Sequence, residues 1–476
     1  MVFKSSSIDL KKDSIPKLFF YYFIPALCTM LCLSTYSTID GIFVGKKIGE
    51  NGLAAIGICW AIFPAFIAFE LLFAFGGAAL VSYFLGKDQA HRARLVFSSV
   101  FYCVAAMSLV FLGIGVIFTH EILDILIAGK SPSQEIRALA QEYLFIIFLG
   151  TPFFLLHPLS DIFVINDKRP ILGTIAMLIG ALSNIALNYF FLFVLDMGID
   201  GSALATLCAH AITFFILFLH FLRRRGKLYF IPRFSLAAVI SSAKTGLPES
   251  VSELSASIVM LLFNATLLSV VGDKGVQIYS IVMYCGIVFF TILLSVSQAL
   301  QPIASFNYGA GNFARLRQIL FFSLLMVVGI GVALYAVFYA FDRHLVELFL
   351  RDKGSALLSE SIEAMSVYYI GYVILGVNIV CAVFLQSVQR TKSSFIITMC
   401  HAILFLAILL PFMGEKWGAM GAWSSYPLAQ ACALIVTIAV MIYEVRYGIF
   451  SGKIAAGKEV WRKAKHGKAV ESDTRK

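Results

Sequence analysis

The chain has 476 residues, 60% of them hydrophobic and only 13% charged, with a net charge of +10. A soluble domain of this length has no interior large enough for so much apolar surface, and its charged share runs about twice as high. The composition therefore excludes a soluble enzyme or nucleic-acid binder and points to a bilayer, where each helical crossing takes about 20 largely apolar residues.

Twelve apolar stretches of that length follow one another, at about 18–42, 52–84, 94–119, 138–165, 171–195, 201–222, 239–271, 276–304, 316–341, 365–388, 394–414 and 420–445. The expected fold is an all-α integral membrane protein of twelve transmembrane helices in two pseudo-symmetric six-helix lobes. Residues 1–17 form a polar tail, 18–222 the first lobe, 223–238 a basic linker, 239–445 the second lobe and 446–476 a basic tail. The lobe division rests on an internal repeat. Shifted by 223 residues, Pro25 meets Pro248, Gly49 and Gly52 meet Gly272 and Gly275, Ser82 meets Ser305, Gly86 meets Gly309, and Arg92 and Arg94 meet Arg315 and Arg317. Matches at Pro, Gly and paired Arg are harder to obtain by chance than matches at Leu. Six crossings per repeat is even, so both halves enter the membrane from the same side and the repeat is parallel, a plan used by secondary transporters.

Loop charge sets the expected orientation. Most Lys and Arg residues fall in the loops that share a side with the termini, among them Arg223, Arg224, Arg225, Lys227 and Arg233. The positive-inside rule then places both termini in the cytoplasm. The basic residues flank spans, so anionic lipid headgroups rather than nucleic acid are their expected partners. The Lys-rich start leads into a stretch too long for a cleavable signal peptide and without a small-residue cleavage site. The nine cysteines fall in spans and form no CxxC pair, and no metal-binding, Walker or Rossmann motif is present. Transport by this chain would draw on an ion gradient. No cofactor is expected other than H⁺ or Na⁺ as the coupling ion.

Carboxylates inside spans are costly and default to functional candidates. They are Asp40, Glu70, Asp161, Glu249 and Glu253. The plainer reading of Asp161 is a bond to the loop at 166–170 or to Lys168 or Arg169, and that of Glu249 is a cap beside Pro248. Asp40 sits in the outer half of span 1 after the polar run Ser34–Thr38. Asn184 and Asn188, four apart on one face of span 5, reach the same depth, so the three form an expected proton or cation site. Helix packing through hydrogen bonds is its alternative. Gln298 and Gln301 precede Pro302 on span 8, where they line a cavity or satisfy backbone groups freed by the proline. Tyr36, Glu70 and Tyr279 complete the expected cavity lining. Phe63, Phe66, Tyr284 and Tyr369 are further candidates for cation–π contact, against plain packing.

The segment Asp40-Gly41-Ile42-Phe43-Val44-Gly45, with Gly49 and Leu53-Ala54-Ala55-Ile56-Gly57, resembles the start of multidrug and toxic-compound extrusion (MATE) transporters. Gln298-Ala299-Leu300-Gln301-Pro302-Ile303-Ala304-Ser305-Phe306-Asn307-Tyr308-Gly309-Ala310 is similar to the span 8 signature of the bacterial MepA-like and DinF-like branches. Asn166–Pro170, Gly198–Thr206 and Gly418–Ala422 fit the same family, so the resemblance covers nearly the whole chain. It implies a V-shaped, alternating-access exporter of cationic or amphipathic organic compounds, driven by H⁺ or Na⁺, a multi-pass protein of the bacterial inner membrane and a monomer. It implies that Asp40 is the span 1 carboxylate of the ion-coupling site and Asn184 its span 5 partner. Many members carry Asp where this chain has Asn188, which removes a hard oxygen ligand and favours H⁺. Glu253 is the second-lobe candidate, although members with a span 7 glutamate carry it deeper. Two other functions are weighed. A flippase for lipid-linked oligosaccharides would want basic residues in its cavity. A membrane acyltransferase would want a catalytic pair, for which only His157 and Asp161 qualify; on balance no enzymatic activity is expected.

Overall fold

The computed structural model describes residues 8–127, 132–347 and 356–449, and within the first helix the side chains of residues 33–38 lie outside that description. The helices are α1 (Ile15–Lys47), α2 (Glu50–Cys59), α3 (Phe63–Gly86), α4 (Ala90–Ile117), α5 (Thr119–Leu126), α6 (Gln134–Asn166), α7 (Pro170–Tyr189), α8 (Ile199–Leu222), α9 (Leu236–Val270), α10 (Asp273–Gly309), α11 (Phe313–Glu347), α12 (Ala356–Ser387), α13 (Thr391–Met399) and α14 (Phe405–Tyr443). Among the described residues, eleven segments are long and apolar enough to cross a bilayer. The last, Thr391–Ile449, has 59 residues and holds two crossings, because the chain reverses at Gly418 (φ 64°). The twelve expected crossings are thus present, with α2 and α3 sharing the second.

Among the described residues there are no strands, and the outer surface inverts that of a soluble protein. Ile117, Phe321 and Ile435 are each about 70% exposed on helix faces, the arrangement that hydrocarbon rather than water stabilises. Within the first lobe α6 packs on α4 and α8, and α1 on α7; in the second, α12 lies against α10, α11 and α14. The second lobe's core is aromatic. Tyr368 and Tyr426 stack at 4.1 Å, and Phe263 stacks on Tyr279 at 4.8 Å.

The repeat is visible in the backbone. Positive φ recurs at Gly49 and Gly272, Asp88 and Gly311, Lys168 and Gln389, and Gly198 and Gly418, so each half turns between helices in the same places. It is visible again where the lobes meet, along α3·α9 and its counterpart α1·α10. At the ends of α3 and α10, Gly86 packs on the backbone of Phe306 and Gly309 on that of Tyr83; a Cβ at either glycine would lie 2.0 Å from the facing carbonyl oxygen. Residue i touches j + 223 while j touches i + 223, the reciprocal contact that a two-fold axis generates. Gly76 and Gly246 extend the seam, each pressed onto backbone of α9 and α3 respectively. Only a hydrogen at Cα admits backbones so close.

All these contacts lie toward the basic face. A strap formed by residues 8–14 covers the same face. Leu10 is 2% exposed. Its carbonyl accepts from Asn307 Nδ2 (3.2 Å) and Arg315 (3.4 Å), and the Asp13 carbonyl accepts from Arg315 (2.6 Å). Lys11 pairs with Asp88 of the first lobe at 2.9 Å. The strap therefore touches both lobes. Hydrogen bonds to Asp9 and Lys17 hold the Asp13 carboxyl below the ordinary carboxylate range, and the Lys11 ammonium does the same for Asp88.

The linker is ordered. Asp167, at the end of α6, accepts from His220 Nε2 (2.8 Å) and from the amides of Lys227 (2.8 Å) and Leu228 (3.2 Å). A Cβ at Gly226 would strike its carboxylate at 1.6 Å. Tyr229 lies between Arg94 (4.0 Å) and Arg224 (4.9 Å). The equivalent place in the second lobe holds Arg390 and Glu444, 3.3 Å apart, so a carboxylate again meets a basic side chain, with the two sides exchanged.

Candidate functional site

A cavity of about 400 Å³ opens in the first lobe. Its walls come from α1, α3, α6, α7 and α8, with Gln298 and Gln301 reaching in from α10 of the second lobe. Trp60, Phe63 and Phe66 form an aromatic side, and Asp40, Glu70, Asp161, His157 and His210 supply the ionisable groups. Among the described residues, neither Lys nor Arg lines it.

Asp40 is held by the neighbours that spacing suggested, and by one that it did not. Ser202 of α8 donates to Asp40 Oδ1 at 3.0 Å, and the Asn188 amide abuts the same carboxylate. Asn188 Nδ2 donates to Asn184 Oδ1 (3.2 Å), and Asn184 Nδ2 to Thr206 Oγ1 (3.3 Å). The chain of hydrogen bonds thus runs from α1 through α7 to α8. Asn184, Asn188 and Ser202 are essentially buried. Asn188 Oδ1 has no partner, which leaves a buried acceptor beside the carboxylate. Near the opposite end of α1, Thr174 of α7 donates to the Pro25 carbonyl at 3.0 Å, so the carbonyl at the proline break is tied to the same partner helix.

Glu70 and Asp161 also line the cavity, and each has one carboxylate oxygen without a hydrogen bond. Asp161 sits against the backbone of Gly173, where a Cβ would lie 2.2 Å from its Oδ1. The salt bridges expected of it to Lys168 or Arg169 do not form, because Lys168 turns onto the Phe306 ring (4.8 Å) and Arg169 donates to the Arg225 carbonyl (3.1 Å). His157 Nδ1 lies 3.0 Å from His210 Nδ1. Gln301 donates to Ser305 (3.4 Å) and Gln298 approaches Met30 sulfur (3.9 Å), so both glutamines face the cavity.

Other expected members lie elsewhere. Tyr279 is 2% exposed between Phe263 and Trp423, within the second-lobe core. Tyr369 donates its hydroxyl to the Val282 carbonyl (2.8 Å) inside the same core, and Tyr284 is 66% exposed. These rings pack or face outward because the second lobe's aromatic side chains fill its interior. Glu253 on α9 is outside the cavity wall, although close enough to act electrostatically on Glu70. The Tyr36 side chain falls outside the described residues. Sequence reasoning passed over Ser202, Thr206 and His210 as site residues. Their signal was available: they recur every fourth residue and share one face of α8. Among the described residues no cluster of three or more His, Cys, Asp or Glu side chains is placed to hold a metal ion.

Comparison with known proteins agrees with this architecture. The multidrug export protein MepA of Staphylococcus haemolyticus (strain JCSC1435) is 23% identical over 440 residues, 92% of this chain and 95% of that protein. MepA of Staphylococcus saprophyticus is 21% identical over 455 residues, 94% and 98% respectively. Among solved structures, a ligand complex of the MATE multidrug transporter DinF-BH superposes with a TM-score of 0.83 at 26% identity, covering 94% of this chain and all of that one. A MATE structure in the straight conformation gives 0.85 at 19% identity, covering 92% and 98%. The MatE family model matches twice, over residues 25–190 and 248–412, one match per lobe and offset by the repeat seen in the glycines. The chain belongs to the MatE family.

Proposed function

We propose that this chain is a secondary active multidrug exporter, which moves cationic or amphipathic organic compounds out of the cell in exchange for H⁺. One observation carries the reading. Among the described residues, the cavity is lined by carboxylates and aromatic rings with no Lys or Arg, which suits a flat organic cation and disfavours the anionic headgroup that a lipid-linked oligosaccharide flippase must hold. A volume of about 400 Å³ falls in the range of drug-sized sites. The plan shared with the MepA proteins and DinF-BH supports export. Basic loops support a bacterial inner-membrane protein with both termini in the cytoplasm; in that orientation the glycine seam and strap close the cytoplasmic end and the cavity opens outward. The protein acts as a monomer within anionic lipid.

Asp40 is the coupling group. Ionised, it only accepts hydrogen bonds, from Ser202 and Asn188. Once protonated it also donates, and Asn188 Oδ1 is the acceptor in reach. The changed bonding draws α1 toward α7 and α8, bends it at Pro25 and narrows the cavity, which expels the substrate outward. Return to the inward-facing state releases the proton to the cytoplasm. Substrate and proton need only favour different states for exchange to follow. With Asn in place of a second carboxylate at Asn188, the site has few hard oxygens for Na⁺, so H⁺ is the coupling ion.

The test is efflux of ethidium from proteoliposomes under an imposed pH or Na⁺ gradient. Wild type should respond to the pH gradient. Asp40→Asn should lose gradient-driven efflux by tenfold or more while binding ethidium within a few-fold of wild type, with Glu253→Gln as the control. Full transport by Asp40→Asn together with loss in Glu253→Gln would move coupling to the second lobe.

A further inference from the structure

The Asp40 cluster leaves unexplained four ionisable groups that share the same cavity. His157 and His210 touch through their Nδ1 atoms at 3.0 Å, with ring centroids 4.9 Å apart. Such a contact requires a proton on one Nδ1 and a lone pair on the other. It survives a first added proton, which goes to an outward-facing Nε2, and is broken by a second, which would set two N–H groups against each other. The pair is therefore built to hold one extra proton. Phe154 packs on His210 edge to face at 4.7 Å and fixes the ring. Asp161 lies one turn along α6 from His157, and Glu70 faces it across the cavity from α3; each has an oxygen without a partner. Either carboxylate, when ionised, needs a positive counterpart in so dry a setting, and among the described residues no Lys or Arg of the cavity wall supplies it.

We propose that the His157–His210 pair is a second proton-exchange site, whose shared imidazolium offsets a single negative charge held between Glu70 and Asp161 when the cavity is empty and is displaced by an arriving organic cation. The step balances: one cation enters, one proton leaves the imidazole pair for water, and the charge of the cavity is unchanged. Among the described residues, the other titratable groups facing the cavity are Asp40 from α1 and Tyr143 from α6; α7 and α10 contribute only Met177, Gln298 and Gln301 to it. Glu253 of α9 acts on Glu70 from outside the wall, and Cys103 of α4 and Cys208 of α8 do not line it. The proposal rests on the proton-coupled reading above but assigns a proton that Asp40 does not carry, so the exchange takes more than one proton per cation.

Proton release on binding tetraphenylphosphonium, measured with a pH dye on the purified full-length protein in detergent, tests it. Wild type should release about one proton more than the His157→Gln/His210→Gln variant. The wild-type affinity should weaken on acidification, by up to tenfold per pH unit where the pair binds its proton, and the variant should lose that part of the dependence. Either single variant removes the Nδ1 contact but leaves one imidazole, so if the double variant does not fold, each single should shift the pH range over which affinity depends on the proton. Equal proton release by wild type and the variants, with unchanged pH profiles, would overturn the proposal. Asp40→Asn separates the two readings. Undiminished release from that variant, with loss in the histidine variants, refutes the Asp40 assignment and leaves the imidazole pair standing.

Discussion

Replacing Gly86 by Ala places a methyl group 2.0 Å from the Phe306 carbonyl oxygen, and replacing Gly309 by Ala places one 2.0 Å from that of Tyr83. Ordinary contact for such a carbon begins near 3.4 Å, so either lobe must retreat by about 1.4 Å at the seam. The facing atoms are backbone within helices and cannot rotate aside. Overpacking of this kind costs roughly 1–3 kcal/mol. The cost falls on the conformation that closes the basic face, because a state with parted lobes accommodates the methyl freely. A penalty of about 2 kcal/mol shifts the equilibrium between closed and open seams by roughly 30-fold. Spin labels at His91 and Ala314, exposed positions related by the repeat, report the separation by pulsed dipolar spectroscopy. Each single variant should enlarge the long-distance population. Within the closed state, the retreat that accommodates one methyl also makes room for the other, so Gly86→Ala/Gly309→Ala should shift the equilibrium by less than the sum of the singles. Wild-type distances in both single variants, or strict additivity in the double, would refute the argument that these glycines form one reciprocal contact.

Two further outcomes follow from the basic face. Asp167→Ala leaves His220 and the Lys227 and Leu228 amides without their buried acceptor, and should destabilise the protein by about 3 kcal/mol; an unchanged thermal unfolding midpoint in detergent would show that the pair is dispensable. Asp13 and Asp88 titrate below the ordinary carboxylate range because of their bonds to Asp9, Lys17 and Lys11. Their hold on the strap is therefore present above that range and lost as pH falls through the lowered values. A fluorophore at Ile8 should become mobile as the pH falls below the ordinary carboxylate range, and Lys11→Ala should make it mobile at neutral pH; constant anisotropy in both cases would mean that the Arg315 bonds alone fix the strap.

The amino-acid sequence alone determined the solvent, the number of crossings and the two-fold plan. Those follow from apolar stretches set by bilayer thickness and from Pro, Gly and Arg residues that recur at one offset, and neither depends on long-range contact. It also brought Asp40, Asn184 and Asn188 together, because helical spacing and direction fix their depth. Which faces of the helices meet was decided by the tertiary structure. A purely apolar helix carries little pattern to say which side faces lipid, so Tyr279 read as cavity lining when it is core, and His210 went unremarked until α8 was seen to turn it onto His157. Asp161 lost its expected basic partners for the same reason: Lys168 and Arg169 follow a left-handed turn that aims them at Phe306 and the linker. Adjacency in sequence set their distance along the chain, and only packing set their direction.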